Sequence, residues 1–166
     1  SDNSSSVSIC GSSCRYGKSW DVQHLWKEFE RGNDLVCLVP ESRWNWRGTF
    51  GEDKSVSKWG GFFEGLELFD AEFFGISPRE AKFMDPQHRL LLECAWEAVE
   101  SAGQDGSKLR SNNGGVSVYV GIQASEYQSL FEAEADKFQA TGNALSTAAG
   151  RISYFFGVTG ESMSID

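Results

Sequence analysis

The sequence predicts an α/β protein with a largely parallel central sheet. Strand-like and helix-like segments alternate along the chain, and the helical ones open on residues that cap helices. Composition agrees: of 166 residues, 40% are hydrophobic and 13% aromatic, with six Trp and twelve Phe, enough to build a core.

In chain order, Val7–Cys10 is a short apolar run that turns at Gly11-Ser12-Ser13, which reads as a first strand. Val22, Leu25, Trp26 and Phe29 then share one face of a helix. Ser19 can cap this helix and Gly32 can end it, and His24 lies off the stripe as a surface histidine. Residues 33–70 are irregular and rich in Gly, Trp and Phe. Their aromatic residues Trp44, Trp46, Trp59, Phe62 and Phe63 read as anchors for a long loop, a length that in a compact domain points to a function or a partner.

Two helix starts follow. Ser77-Pro78-Arg79-Glu80 has a capping Ser, a Pro at the first helical position and a Glu three residues on. Asp85-Pro86-Gln87-His88 opens a longer helix with an apolar face of Leu91, Leu92, Ala95, Trp96 and Val99. Its wet side carries Glu93, Glu97 and Glu100, and Gly103 can end it. Val116, Val118 and Val120 alternate with Ser117 and Tyr119 between two glycines, which reads as a strand. A helix is expected over about Asn143 to Phe156, with an inward face of Ala144, Leu145, Ala148, Ala149 and Ile152, broken by Gly157 and Gly160. Met163 and Ile165 alternate with Ser162 and Ser164 in a last strand.

The net charge of −9 and pI near 4.7, with no Lys/Arg cluster, argue against binding nucleic acid or an anionic membrane surface. No apolar run approaches the ~18 residues that suggest a membrane span. Cys10, Cys14, Cys37 and Cys94 match no strong zinc spacing and read as free thiols, which implies a reducing, intracellular setting. A disulfide or metal role is the competing reading. Asp85 and His88 could be drawn as a dyad, but Asp85 is better explained as a cap. Gly160-Glu161-Ser162 lacks the second Gly of a serine-hydrolase elbow, and no phosphate loop is present. Residue types alone reveal no active site and no metal or cofactor set.

The run Phe69-Asp70-Ala71-Glu72-Phe73-Phe74-Gly75-Ile76-Ser77-Pro78-Arg79-Glu80-Ala81, followed by Met84-Asp85-Pro86-Gln87-His88-Arg89-Leu90-Leu91-Leu92-Glu93, resembles the ketosynthase (β-ketoacyl synthase) domains of modular polyketide synthases and animal-type fatty acid synthases. Ile9–Arg15, Tyr119-Val120-Gly121 with Ser125-Glu126-Tyr127, and Asn143–Tyr154 are similar to further segments of that family. Three departures stand out: Tyr16-Gly17 for Phe-Pro, His88 where Gln is commoner, and Glu161 where Pro is usual.

The resemblance implies a thiolase-like fold, here the N-terminal part of the first α/β half. Residues 1–6 would be a flexible tail and 7–166 a β-ketoacyl synthase N-terminal region. The implied reaction is decarboxylative Claisen condensation of acyl and malonyl-type thioesters. The acyl groups arrive on the phosphopantetheine of an acyl carrier protein, so no cofactor of the chain's own is expected. The family's nucleophilic cysteine follows an Asp-Thr-Ala run that would begin at Asp166, so the chain carries no catalytic residue. By the same resemblance Gln123, Ala124, Thr141, Gly142 and Asn143 border the acyl pocket. Ser162, Met163, Ser164, Ile165 and Asp166 form the strand through which family members pair as homodimers. The expected partners are therefore the rest of the ketosynthase, the carrier protein and a second copy, in the cytoplasm, with an organelle the alternative. The competing function is a non-catalytic, ketosynthase-derived interaction subunit whose aromatic loop docks a partner.

Overall fold

A computed structural model describes residues 6–44, 46, 57–111, 115–131 and 137–166. Residues 1–5 of the expected tail, and much of the aromatic loop, lie outside the described residues. Two compact units divide the chain: Ser13–Gly65, and Ser1–Ser12 with Leu66–Asp166.

In the Ser13–Gly65 unit, helix α1 spans Val22–Glu30. Its cap is not Ser19. The amide and carbonyl of Ser19 are both bonded to Tyr16, at 2.8 and 3.0 Å, in a turn over Gly17. The carbonyl of Ser19 is thus committed before the helix begins. Asp21 caps instead, its Oδ1 accepting from the His24 amide at 2.7 Å. At the other end Gly32 takes φ 66°, with Gly32 N–H bonded to Phe29 O and Asn33 N–H to Glu28 O. That pair of bonds is a Schellman closure, as expected for Gly just past a helix. The stripe of α1 stays largely open: Val22, Trp26 and Phe29 are all exposed.

The described residues between 33 and 65 are less irregular than the sequence suggests. Strands β1 (Cys37–Leu38) and β2 (Trp59–Gly60) pair antiparallel beside buried Leu35 and Val39. Trp20 meets Phe63 and Trp44 meets Phe62 edge-on, at 4.8 and 5.9 Å between centroids. Three of the five expected anchors, Trp44, Phe62 and Phe63, make these contacts, whereas Trp59 is exposed.

In the Leu66–Asp166 unit, α2 (Pro78–Phe83) and α3 (Pro86–Ser101) start at the two capping sequences. Ser77 Oγ accepts from Glu80 N–H at 3.2 Å, and the Glu80 carboxylate is engaged by Arg151 at 2.7 Å. α3 closes at Gly103, φ 68°, with a second Schellman pair. The apolar face of α3 joins a core built around Met84, Leu92, Val120, Ile122, Ala148, Ala149, Ile152 and Phe156.

Val7–Cys10 does not form the expected strand. A strand needs a paired neighbour, and among the described residues none pairs with this run, so Val7 and Ile9 stand exposed. The chain is instead pinned just after it. Ser12 N–H donates to Ser101 Oγ at 2.9 Å. Gly11 passes so close to α3 that a Cβ would lie 2.1 Å from the Ala98 carbonyl oxygen.

The expected Asn143–Phe156 helix is two helices. α4 (Lys137–Asn143) ends where it was to begin, and α5 spans Thr147–Phe156. Thr147 Oγ1 accounts for the break, because it turns back onto the Thr141 and Ala144 carbonyls at 2.9 and 2.8 Å. α5 closes at Gly157, φ 63°, and Arg110 donates to the Phe155 and Phe156 carbonyls at its end.

Strands β3 (Val118–Gly121) and β4 (Ser162–Ile165) pair in parallel, Val118 opposite Ser162 and Val120 opposite Ser164. Small Ala148 and Ala149 let α5 approach the sheet closely. The face of β4 turned to α5 is the serine face. Ser164 Oγ accepts from Ala149 N–H at 3.2 Å and Ser162 Oγ meets Ser153 Oγ at 3.0 Å. Ser146, at the N-cap of α5, makes no side-chain cap bond. A serine from the strand therefore supplies the acceptor that a helix start requires. Met163, Ile165 and Tyr119 occupy the opposite face and are exposed.

This exchange of caps is testable by urea unfolding. Ser164→Ala is expected to cost about 1 kcal/mol, the usual value of a lost N-cap, whereas Ser146→Ala should leave the midpoint unchanged.

Candidate functional site

The turn Met84-Asp85 between α2 and α3 gathers most of the residues expected to border a pocket. Asp85 is almost fully buried. Its Oδ1 accepts from Gln87 N–H at 2.8 Å, which caps α3, and its Oδ2 accepts from the Ser125 hydroxyl at 2.5 Å. Its own N–H donates to the Gly142 carbonyl at 2.9 Å. Ser125 Oγ also lies 3.4 Å from Asn143 Oδ1. One aspartate thus ties the start of α3, the loop after β3 and the end of α4. It acts as a cap and a junction, not as the acid of a dyad.

Asn143 is buried and donates to the Phe83 and Gln139 carbonyls at 2.9 and 2.7 Å. Gly142 packs so tightly that a Cβ would lie 2.6 Å from Phe83 O. Gln123 and Ala124 are exposed on the loop after β3. Ala124 has φ 46°, alone among the described non-glycine residues in being left-handed. That conformation costs an alanine roughly 1 kcal/mol and persists only where surrounding bonds hold it. Those bonds are present: Gln87 Nε2 donates to Ala124 O at 2.9 Å, and Tyr127 Oη donates to Lys82 O at 2.9 Å.

Thr141 stands apart from the other four. It lines a groove of about 630 Å³ that also includes Ile76, Glu80, Thr147, Arg151 and Tyr154. The ion pair of Arg151 with Glu80 crosses this groove, and Arg151 Nη2 donates to Thr141 O at 3.2 Å. Sequence reasoning missed Arg151 and Tyr154. Their signal was helical spacing: Thr147, Gly150, Arg151 and Tyr154 recur at i, i+3, i+4 and i+7, opposite the alanine face.

His88, in the first turn of α3, is buried. It is 1% exposed, and neither ring nitrogen has a hydrogen-bond partner among the described residues. Burial holds its pKa below the ordinary 6.5, with the Arg151 guanidinium adding to the effect and Asp85 opposing it. Glu161, the other departure near the sheet, donates its N–H to Ser117 Oγ at 3.1 Å, a bond proline cannot make. Its carboxylate accepts from Tyr119 Oη, which raises the tyrosine's pKa. Among the described residues no group of His, Cys, Asp or Glu could hold a metal ion, no disulfide forms, and no helix is long and apolar enough to cross a membrane.

Comparison with known proteins decides the family. Residues 4–166 match the model described as "Beta-ketoacyl synthase, N-terminal domain". The chain belongs to the β-ketoacyl synthase family. It is 40% identical over 173 aligned residues to the polyketide synthase PksM of Bacillus subtilis (strain 168), covering 96% of this chain and 4% of that protein. It is 41% identical over 170 aligned residues to the mycocerosic acid synthase-like polyketide synthase of Mycolicibacterium smegmatis, covering 96% of this chain and 8% of that one. Two solved ketosynthases share its thiolase-like fold. One is from module 6 of the bacillaene synthase of Bacillus subtilis 168: TM-score 0.78, 32% identity, 94% of this chain and 25% of that one. The other is the oxazolomycin ketosynthase domain OzmH KS7 of Streptomyces albus JA3453: TM-score 0.82, 33% identity, 95% and 29%. This β-ketoacyl synthase segment therefore spans about a quarter of each solved ketosynthase and a small fraction of the curated relatives.

Linkage gives His88 a measurable signature. Unfolded, it takes a proton near pH 6.5; folded, only at lower pH. Stability is therefore full above 6.5 and is lost as pH falls toward the folded pKa. Urea midpoints measured from pH 7.5 down to 5 should fall, and His88→Gln should flatten that part of the curve.

Proposed function

We propose that this chain forms one wall of the acyl pocket in a polyketide-type ketosynthase that joins acyl and malonyl-type thioesters by decarboxylative Claisen condensation. The observation that carries the reading is the family match over residues 4–166, with polyketide synthases among the relatives. In this reading an acyl group passes from the phosphopantetheine of a carrier protein to a cysteine thiolate. A carrier-bound malonyl unit then loses CO₂, and the carbanion equivalent attacks the thioester carbonyl, releasing the thiolate. In this reading the nucleophile and the groups that stabilise the oxyanion lie outside these 166 residues. What the segment contributes is shape. Gln123 and Ala124 on one side, and Gly142 and Asn143 on the other, border the acyl chain, while Thr141 faces a separate groove. The bonds converging on Asp85 favour this, because they give the wall a fixed geometry. The setting is cytoplasmic, and the carrier protein is a transient partner.

The reading includes a homodimer through Ser162–Asp166. Among the described residues β4 has one paired edge, toward β3, and its apolar side chains Met163 and Ile165 are exposed. A free strand edge with an apolar face favours pairing with a second copy.

Two experiments test this. When the complete ketosynthase containing this segment is incubated with an acylated carrier protein, peptide mass spectrometry should find the acyl group on a cysteine outside these residues. Carrier-dependent acylation of Cys10, Cys14, Cys37 or Cys94 overturns the reading. Light scattering of the same protein should give a dimer that Ile165→Lys weakens at least tenfold; a wild-type monomer removes the pairing.

A further inference from the structure

We infer that Gln87 is a positioning residue for acyl-chain selectivity: its side-chain amide holds the strained Ala124 peptide in the orientation that the pocket wall needs. The inference rests on the reading of Gln123 and Ala124 as pocket wall. Three tethers run from the 82–87 segment to the loop after β3: Tyr127 to Lys82, Ser125 to Asp85, and Gln87 to Ala124. The first two hold residues after the strained position. Only the third holds the carbonyl of the residue that is itself left-handed.

Direction follows from the peptide plane. In a trans peptide the N–H points opposite the C=O. Drawing the Ala124 carbonyl toward Gln87 therefore fixes where the Ser125 N–H points. Without the donor, Ala124 can relax to an ordinary negative φ, which swings both flanking peptides and the Gln123 side chain. Such a change alters the wall, not the reacting centre. It should be felt by acyl chains long enough to reach the wall and not by an acetyl group.

Gln87 is also the tether that can be removed cleanly. Its backbone N–H donates to Asp85 Oδ1 and caps α3 whatever the side chain, so the helix start survives substitution. Glu at this position is favourable for the helix, since negative charge is stabilised in the first turn, yet an ionised carboxylate cannot donate to Ala124 O. A role confined to the start of α3 predicts that Gln87→Glu is neutral or stabilising. The positioning role predicts a functional loss in a protein that is no less stable.

The experiment uses the complete ketosynthase containing this segment, with acetyl- and decanoyl-pantetheine thioesters as acyl donors. Gln87→Glu and Gln87→Ala are expected to raise KM for the decanoyl donor about five- to tenfold, the size of one lost hydrogen bond. The kcat, and both constants for acetyl, should stay unchanged. In an Ala124→Gly background, where left-handed φ carries no steric penalty, the same substitutions should change KM less than about twofold. Equal losses for both donors, or losses that persist in the Ala124→Gly background, overturn the inference. Gln123→Trp separates the two levels. If it blocks decanoyl loading while Gln87→Glu does nothing, the wall reading stands and the positioning role falls. If neither affects loading, both fall.

Discussion

A carboxylate buried to 3% exposure constrains everything around it. Each of its oxygens needs a donor, because an unpaired buried acceptor costs more than a typical hydrogen bond returns. Asp85 meets that demand with donors from different places: the Gln87 N–H of its own helix and the Ser125 hydroxyl of a distant loop. Its amide then takes the Gly142 carbonyl. The cap, the loop and the end of α4 are thereby fixed relative to one another by a single side chain and its peptide. Gly142 follows from the same geometry, since the approach that brings its carbonyl to Asp85 leaves no room for a Cβ beside Phe83. Asn143 follows too: it fills the corner and satisfies the Phe83 carbonyl left open where α2 ends.

The same packing explains why His88 is the weak point of the arrangement. It stands in the first turn of α3, where its ring is buried and without a hydrogen-bond partner among the described residues. The attraction of Asp85 for an imidazolium is outweighed by burial and by Arg151, which is itself committed to Glu80. Neutral, the ring is a flat space-filler. Charged, it would be a buried cation beside a guanidinium. An ionisable ring in this buried corner is therefore expected to make it sensitive to acid.

Much of this was legible in the sequence, and the reason is local chemistry. Ser77-Pro78 and Asp85-Pro86 cap the helices they precede, and Gly32, Gly103 and Gly157 close α1, α3 and α5 by left-handed turns, because caps depend on residues within one helical turn. What was not legible depended on pairings that the helix and strand patterns do not show. Ser19 is excluded as a cap by a backbone pairing with Tyr16. Val7–Cys10 has strand-like residues but, among the described residues, no strand beside it. The continuous pattern of Asn143–Phe156 hides a break made by one threonine hydroxyl. Of the expected wall, Gly142 and Asn143 lie at the Asp85 junction with Ser125, and Ala124 is tethered to the same segment. Thr141 faces a separate groove whose Arg151 and Tyr154 were visible only as helix periodicity.

Strand β4 carries the clearest conflict between pattern and role. Alternation alone assigns its Met and Ile to a core, yet the structure turns its serines to α5. The resolution lies in the first turn of α5. Its amides need acceptors, Ser146 makes no cap bond, and Ser164 lies within reach. An apolar residue at 164 would gain little area against Ala149 and would leave that amide without its partner. With Ser162 and Ser164 committed inward, Met163 and Ile165 must face outward by the strand's period of two. A parallel sheet of this kind is ordinarily covered on both faces. The apolar outer face is therefore the consequence of a helix cap supplied by a strand.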